Sequence, residues 1–98
     1  MTWRERIQAA RARGRFTLED EFDAVYSWET CAVGEQASQY GYDVIKFRAS
    51  MPSDAELRRL GGRAGFARAV ESQRFDDAEH FLGLIEDRAL QLKREQHA

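Results

Sequence analysis

Cys31 is the single thiol of this 98-residue chain, and His80 and His97 are its two imidazoles. A catalytic thiolate needs a base within reach and a positive setting that lowers its pKa. Cys31 lies instead in Trp28-Glu29-Thr30-Cys31-Ala32-Val33-Gly34-Glu35, an acidic stretch that favours the neutral thiol. His97 stands next to the C-terminal residue, where chains fray. A Cys31–His80 pair is therefore the one enzymatic reading on offer. A small cysteine buried on a helix face is the plainer one. One cysteine also excludes an intramolecular disulfide and a Cys-based metal cluster.

Other constellations are incomplete. Glu19, Asp20, Asp23, Glu79 and His80 have ligand chemistry, but Glu79-His80 lacks the Glu-x-x-His spacing of di-iron bundles. EF-hand and zinc spacings are missing as well, so no metal or cofactor is expected. Leu60-Gly61-Gly62-Arg63-Ala64-Gly65 is glycine-rich near a helix start. It has neither the Lys-Ser/Thr ending of a P-loop nor the strand that a dinucleotide fold places before it. A tight helix-to-helix turn explains it, with anion binding by Arg63 and Arg68 as the sharper reading. Residues 55–68 outline two helices split by glycines and carry Arg58, Arg59, Arg63 and Arg68. That outline fits a small DNA-binding regulator of helix-turn-helix type. The first of the two helices is very short, and no Asn, Gln or Ser cluster opens the second to read bases.

The strongest signal is electrostatic. Between Thr17 and Asp43 stand seven acids (Glu19, Asp20, Glu21, Asp23, Glu29, Glu35 and Asp43) and no Lys or Arg. Residues 1–16 hold five Arg against one Glu, and residues 44–74 hold seven Lys or Arg against three acids. Such a block either pairs with its own basic flanks or faces a basic partner. Arg4, Arg6, Arg11 and Arg13 are the obvious internal neighbours. On the partner-facing reading, a protein with a basic surface meets Glu19, Asp20, Asp23 and Glu29, with Tyr40 and Tyr42 beside them. A row of carboxylates on a rigid helix steers association and sharpens specificity.

Bulk properties bound the rest. The chain has the length of one domain, with 43% hydrophobic residues and a net charge of −2. The near-neutral balance argues against general nucleic-acid binding and against adhesion to anionic membranes. Apolar runs are too short for a membrane span, and the N-terminus has no signal-peptide core, so a cytoplasmic protein is expected. Basic charge is almost all Arg, a bias of GC-rich genomes.

Four capping signatures organise the chain: Thr2…Glu5, Thr17…Asp20, Ser53…Glu56 and Asp76…Glu79. They predict helices over Trp3–Arg13, closed by Gly14; Leu18 to about Val33, continuing toward Ser38; about Asp54 to Leu60; Arg63–Gln73; and Asp77–Arg94. The second buries Leu18, Phe22, Val25, Trp28, Ala32 and Cys31 in this reading. Tyr42, Val44, Ile45 and Phe47 are strand-type residues with no second strand to pair with. Residues 40–51 are therefore read as an extended connector, with pairing across a homodimer as the alternative. An offset of 59 aligns Arg15-Phe16-Thr17 with Arg74-Phe75-Asp76 and Phe22 with Phe81. The expected fold is a single all-α domain of four main helices and one short one. Hairpin one covers 2–39, the connector 40–52 and hairpin two 53–96. Its core is Trp3, Ile7, Phe22, Val25, Trp28, Phe66, Val70, Phe81, Leu82, Ile85 and Leu92. The expected function is a non-enzymatic binding or regulatory protein, such as an inhibitor or accessory factor of bacterial or phage origin.

Overall fold

The computed structural model describes residues 1–41, 43–49 and 55–96. They form a small all-α bundle, with no strand among them. Helix α1 is Trp3–Arg13, capped by the Thr2 hydroxyl, which accepts the Glu5 N–H. Gly14 closes it in the left-handed region at φ 87°, where a side chain would be strained. Helix α2 is Leu18–Tyr26, opened by a complete capping box between Thr17 and Asp20. The chain then leaves the α-helix at Ser27 and runs through a π-helical turn, Glu29–Val33, into α3, Gly34–Gln39. The Ser27 carbonyl accepts the N–H groups of Thr30 and Cys31 at 2.9 and 2.7 Å.

Helix α4, Val44–Ala49, replaces the expected extended connector. Asp43 explains the difference. Its side chain accepts the Ile45 N–H at 2.9 Å and its carbonyl accepts the Phe47 N–H at 2.9 Å, which starts a helix. A helix satisfies its own backbone, whereas a lone strand cannot. Phe47 is buried by this turn. Helix α5 is Ala55–Arg59; a 3-10 turn, Gly62–Ala64, leads to α6, Gly65–Glu71; and α7 is Phe75–Gln96. The Ser53 capping signature lies outside the described residues. Asp76 sits inside the first turn of α7 rather than capping it, since α7 begins at Phe75.

The core is an aromatic ladder. Trp3 meets Phe66 edge-on with centroids 4.7 Å apart, Phe66 meets Phe81 at 6.1 Å, and Trp28 meets Phe81 at 5.8 Å. Ile7, Val33, Phe47, Val70, Leu82 and Ile85 fill the space around it, with Trp28 and Leu92 packed at its margin. Helix α6 lies between α2 and α7, and α1 packs on α7. Gly65 permits one close approach: a Cβ there would stand 2.2 Å from the Leu60 carbonyl oxygen.

The offset of 59 residues is visible in the backbone. Arg15 N–H bonds the Ala10 carbonyl at 3.0 Å, and Arg74 N–H bonds the Ala69 carbonyl at 2.8 Å. Gly14 has its counterpart in Gln73, the one non-glycine at positive φ (60°) among the described residues. The two turns also touch. Phe16 and Phe75 stack at 5.1 Å, and Gln73 Oε1 accepts the Phe16 N–H at 2.6 Å.

Candidate functional site

Helix α1 acts as a basic staple between two acidic helices. On one side Arg6 pairs with Asp23, and Arg13 reaches Asp20 at 3.3 Å. On the other, Arg4 pairs with Glu86, and Arg11 bonds Asp76 at 2.9 Å and Glu79 at 3.2 Å. Asp20 is buried, and its carboxylate also accepts the Thr17 N–H at 3.1 Å. Arg6 further stacks over the Trp3 ring at 5.1 Å. The inner side of α2 is thus its acidic side, neutralised from within.

Three more acids of the block accept hydrogen bonds from uncharged groups within the chain. Glu21 accepts from Gln73 Nε2 at 2.6 Å, Glu35 accepts the Trp3 N–H at 2.8 Å, and Asp43 caps α4. Burial pushes the Glu35 carboxyl above its usual range, against the pull of the Trp3 N–H and Arg6. Glu19 is exposed and makes no ion pair among the described residues. Glu29 stands in the π-helical turn, and Tyr42 lies outside the described residues. Tyr40 is half-buried beneath the Lys93 ammonium, 5.0 Å from its ring centroid. The proposed acidic surface is therefore not assembled as one face: Asp20 and Asp23 turn inward, and Glu19 turns out.

The side of α2 expected to enter the core faces solvent instead. Leu18 is 82% exposed, Phe22 60%, Val25 44% and Tyr26 75%. These residues stand at i, i+4, i+7 and i+8, one stripe of a helix. The rings of Phe22 and Tyr26 stack on each other at 4.8 Å. Glu19 borders the stripe on one edge and Glu21 on the other. The buried positions are Asp20 and Ala24, and α2 packs on α6. Leu18, Phe22 and Val25 are thus corrected from core to surface. Periodicity marked the stripe correctly but could not say which way it faced. The assumed single helix also ends at Ser27, so the burial of Cys31 and Ala32 beyond the break does not fix the phase before it.

Cys31 is buried. Its thiol donates to the Asp23 carbonyl at 3.2 Å, and desolvation raises its pKa more than the nearby Trp3 indole and Arg6 lower it. The Trp3 Nε1–H is itself buried without a conventional acceptor. His80 Nε2 contacts Glu56 on α5 at 2.9 Å, so the two members of the enzymatic reading have separate partners. The hydrogen bonds from His80 and Arg59 hold the Glu56 carboxyl below its usual range.

The Arg-rich hairpin is similarly occupied. Arg59 pairs with Glu56, and Arg68 Nη2 donates to the Gly61 carbonyl at 2.9 Å. Arg58 stands in α5 and Arg63 in the 3-10 turn. Helix α6, in the place of a recognition helix, buries Gly65, Phe66, Ala69 and Val70 in the core. Among the described residues no three His, Cys, Asp or Glu gather as metal ligands would, and no helix is long and apolar enough to cross a membrane.

Fold and site together define a small helical bundle that displays an apolar helix face. Comparison with protein families, curated proteins and solved structures finds no match for this chain.

Proposed function

We propose that this protein is a non-enzymatic binding or regulatory factor of the inhibitor or accessory kind, engaging another protein through the outer face of α2. One observation carries the reading: Leu18, Phe22, Val25 and Tyr26 form a continuous stripe in water. Burying a side chain of this size stabilises a fold by ~1.5–3 kcal/mol, so leaving four outside forgoes a large contribution. A contiguous exposed apolar patch on a small domain is characteristic of an interaction surface. The Arg-rich hairpin has less support, because Arg59 and Arg68 already hold Glu56 and Gly61. The Cys31 reading has less support because its thiol is buried and held neutral.

The test is capture from native host lysate with tagged wild type, Phe22→Asp and Ile45→Asp. Ile45 is another exposed apolar residue, on a different helix, and serves as the control. A protein retained by wild type and Ile45→Asp and lost by Phe22→Asp is the expected result. Identical capture by all three would remove α2 as the site.

A further inference from the structure

We propose that the α2 face is received by a preformed apolar groove on a different protein, rimmed by Lys or Arg. This rests on the reading of α2 as a binding face and names the chemistry of its partner. The first argument is shape. Helix α2 has nine residues, about 13.5 Å of axis. A helix so short, laid on a flat surface, covers less than the ~800 Å² per partner of a standard interface. A groove that wraps Leu18, Phe22, Val25 and Tyr26 covers more, and spacing at i, i+4, i+7 and i+8 suits that mode.

The second argument is charge. No Lys or Arg occurs between Thr17 and Asp43. Arg6 and Arg13 neutralise Asp23 and Asp20 on the inner side and leave two charges along the edges of the stripe: the exposed Glu19, and the half-buried Glu21, whose partner among the described residues is the uncharged Gln73 amide. A groove with basic walls places opposite charge against both edges. A second copy of this chain does not: two-fold pairing of the stripe sets acidic edges against acidic edges. A lipid surface fits no better, since helices that lie in membranes carry Lys and Arg on the polar face, and anionic headgroups repel carboxylates.

The experiment places p-benzoylphenylalanine at Tyr26 of the full chain in native host cells and identifies the crosslinked peptide by mass spectrometry. The captured protein is then purified and titrated against wild type, Glu19→Lys and Phe22→Asp. The expected result is a crosslink to one other protein, within a segment carrying apolar residues and Lys or Arg. Glu19→Lys should weaken binding about tenfold at low salt, with the difference shrinking as salt screens it. Affinity that Phe22→Asp abolishes but neither Glu19→Lys nor salt alters would overturn the basic rim and leave the binding face standing. Affinity unchanged by Phe22→Asp would remove the binding face itself. A crosslink within this chain, with concentration-dependent dimers in sedimentation, would make the occupant a second copy. Flotation of the protein with phosphatidylglycerol or phosphatidylcholine vesicles would make it a lipid surface. No crosslinked protein at all would also overturn the proposal.

Discussion

The hairpins α1–α2 and α6–α7 are built from the same local elements and put them to opposite use. Both close their first helix with a left-handed residue, Gly14 and Gln73, and the same backbone hydrogen bond. Both follow it with a phenylalanine, and Phe16 and Phe75 stack on one another. The second helices then diverge. Phe81 is 1% exposed and joins the aromatic ladder, whereas Phe22, its counterpart at the same offset, is 60% exposed. Two hairpins that shared one role would bury both. Local chemistry therefore sets the turn, and the surroundings decide which face each helix turns inward. In α2 the buried face is set by Asp20, held by Thr17 and Arg13, and by the fully buried Ala24. That choice sends the apolar stripe outward.

Replacing the two phenylalanines tests this contrast most directly. Phe81→Ala removes a ring packed against both Trp28 and Phe66, and the loss expected from urea denaturation is about 3–5 kcal/mol. Phe22→Ala should change stability by no more than about 0.5 kcal/mol, as at other surface positions. Equal losses would return Phe22 to the core and dissolve the contrast.

The reason one phenylalanine was legible and the other was not lies in what periodicity measures. Of the core positions expected on α7, Phe81, Leu82 and Ile85 are fully buried and Leu92 packs at the margin. The stripe of α2 has the same period, and a core-facing and a partner-facing helix look alike in sequence. Caps were more transferable, because they depend on neighbours in the chain: Thr2, Thr17 and Gly14 all act as read. Asp43 was a cap in plain view. The β-branched Val44 and Ile45 obscure it in the sequence, though an Asp before a helix satisfies backbone donors that no strand partner is present to satisfy. The break at Ser27 had no proline to mark it. Of the candidate site, the charge block was legible, but the pairing of Asp20 and Asp23 with α1 needed the tertiary arrangement. The solvent-facing apolar stripe was visible as residues and hidden as a surface.

Gln73 gives a sharper and smaller test of the shared turn. It holds a conformation that glycine adopts at Gly14, and its side chain bridges to the Phe16 N–H and to Glu21. Gln73→Ala keeps the backbone strain and loses the bridge, at an expected cost of about 1–3 kcal/mol. Gln73→Gly loses the same bridge but relieves the left-handed backbone, which recovers about 1 kcal/mol relative to Ala. The difference between the two variants, read in one denaturation series, isolates the strain. If Ala and Gly cost the same, the left-handed conformation carries no strain here, and the likeness of the two turns is only geometric.

The smallest expected effect lies at Glu35, whose counterpart at the same offset is the exposed Arg94 of α7. Glu35 is a half-buried carboxylate in α3, where α7 shows a cation to water. Desolvation raises the Glu35 pKa above its ordinary 4.5 in the fold. Between 4.5 and the raised folded value, the native state therefore binds more protons than the unfolded chain. The stability linked to this group is complete below the ordinary value and falls away as pH rises through the folded one. Glu35→Gln keeps an oxygen to accept the Trp3 N–H and carries no charge to desolvate. Denaturation at pH 4 and pH 7 should show the Gln variant gaining on wild type as pH rises. The gain should stay within about 0.5 kcal/mol, because the site is half open to water. A wild type that gains on the variant instead would mean that the Trp3 N–H and the positive end of α1 outweigh burial. Glu35 would then be a stabilising cap of the first hairpin.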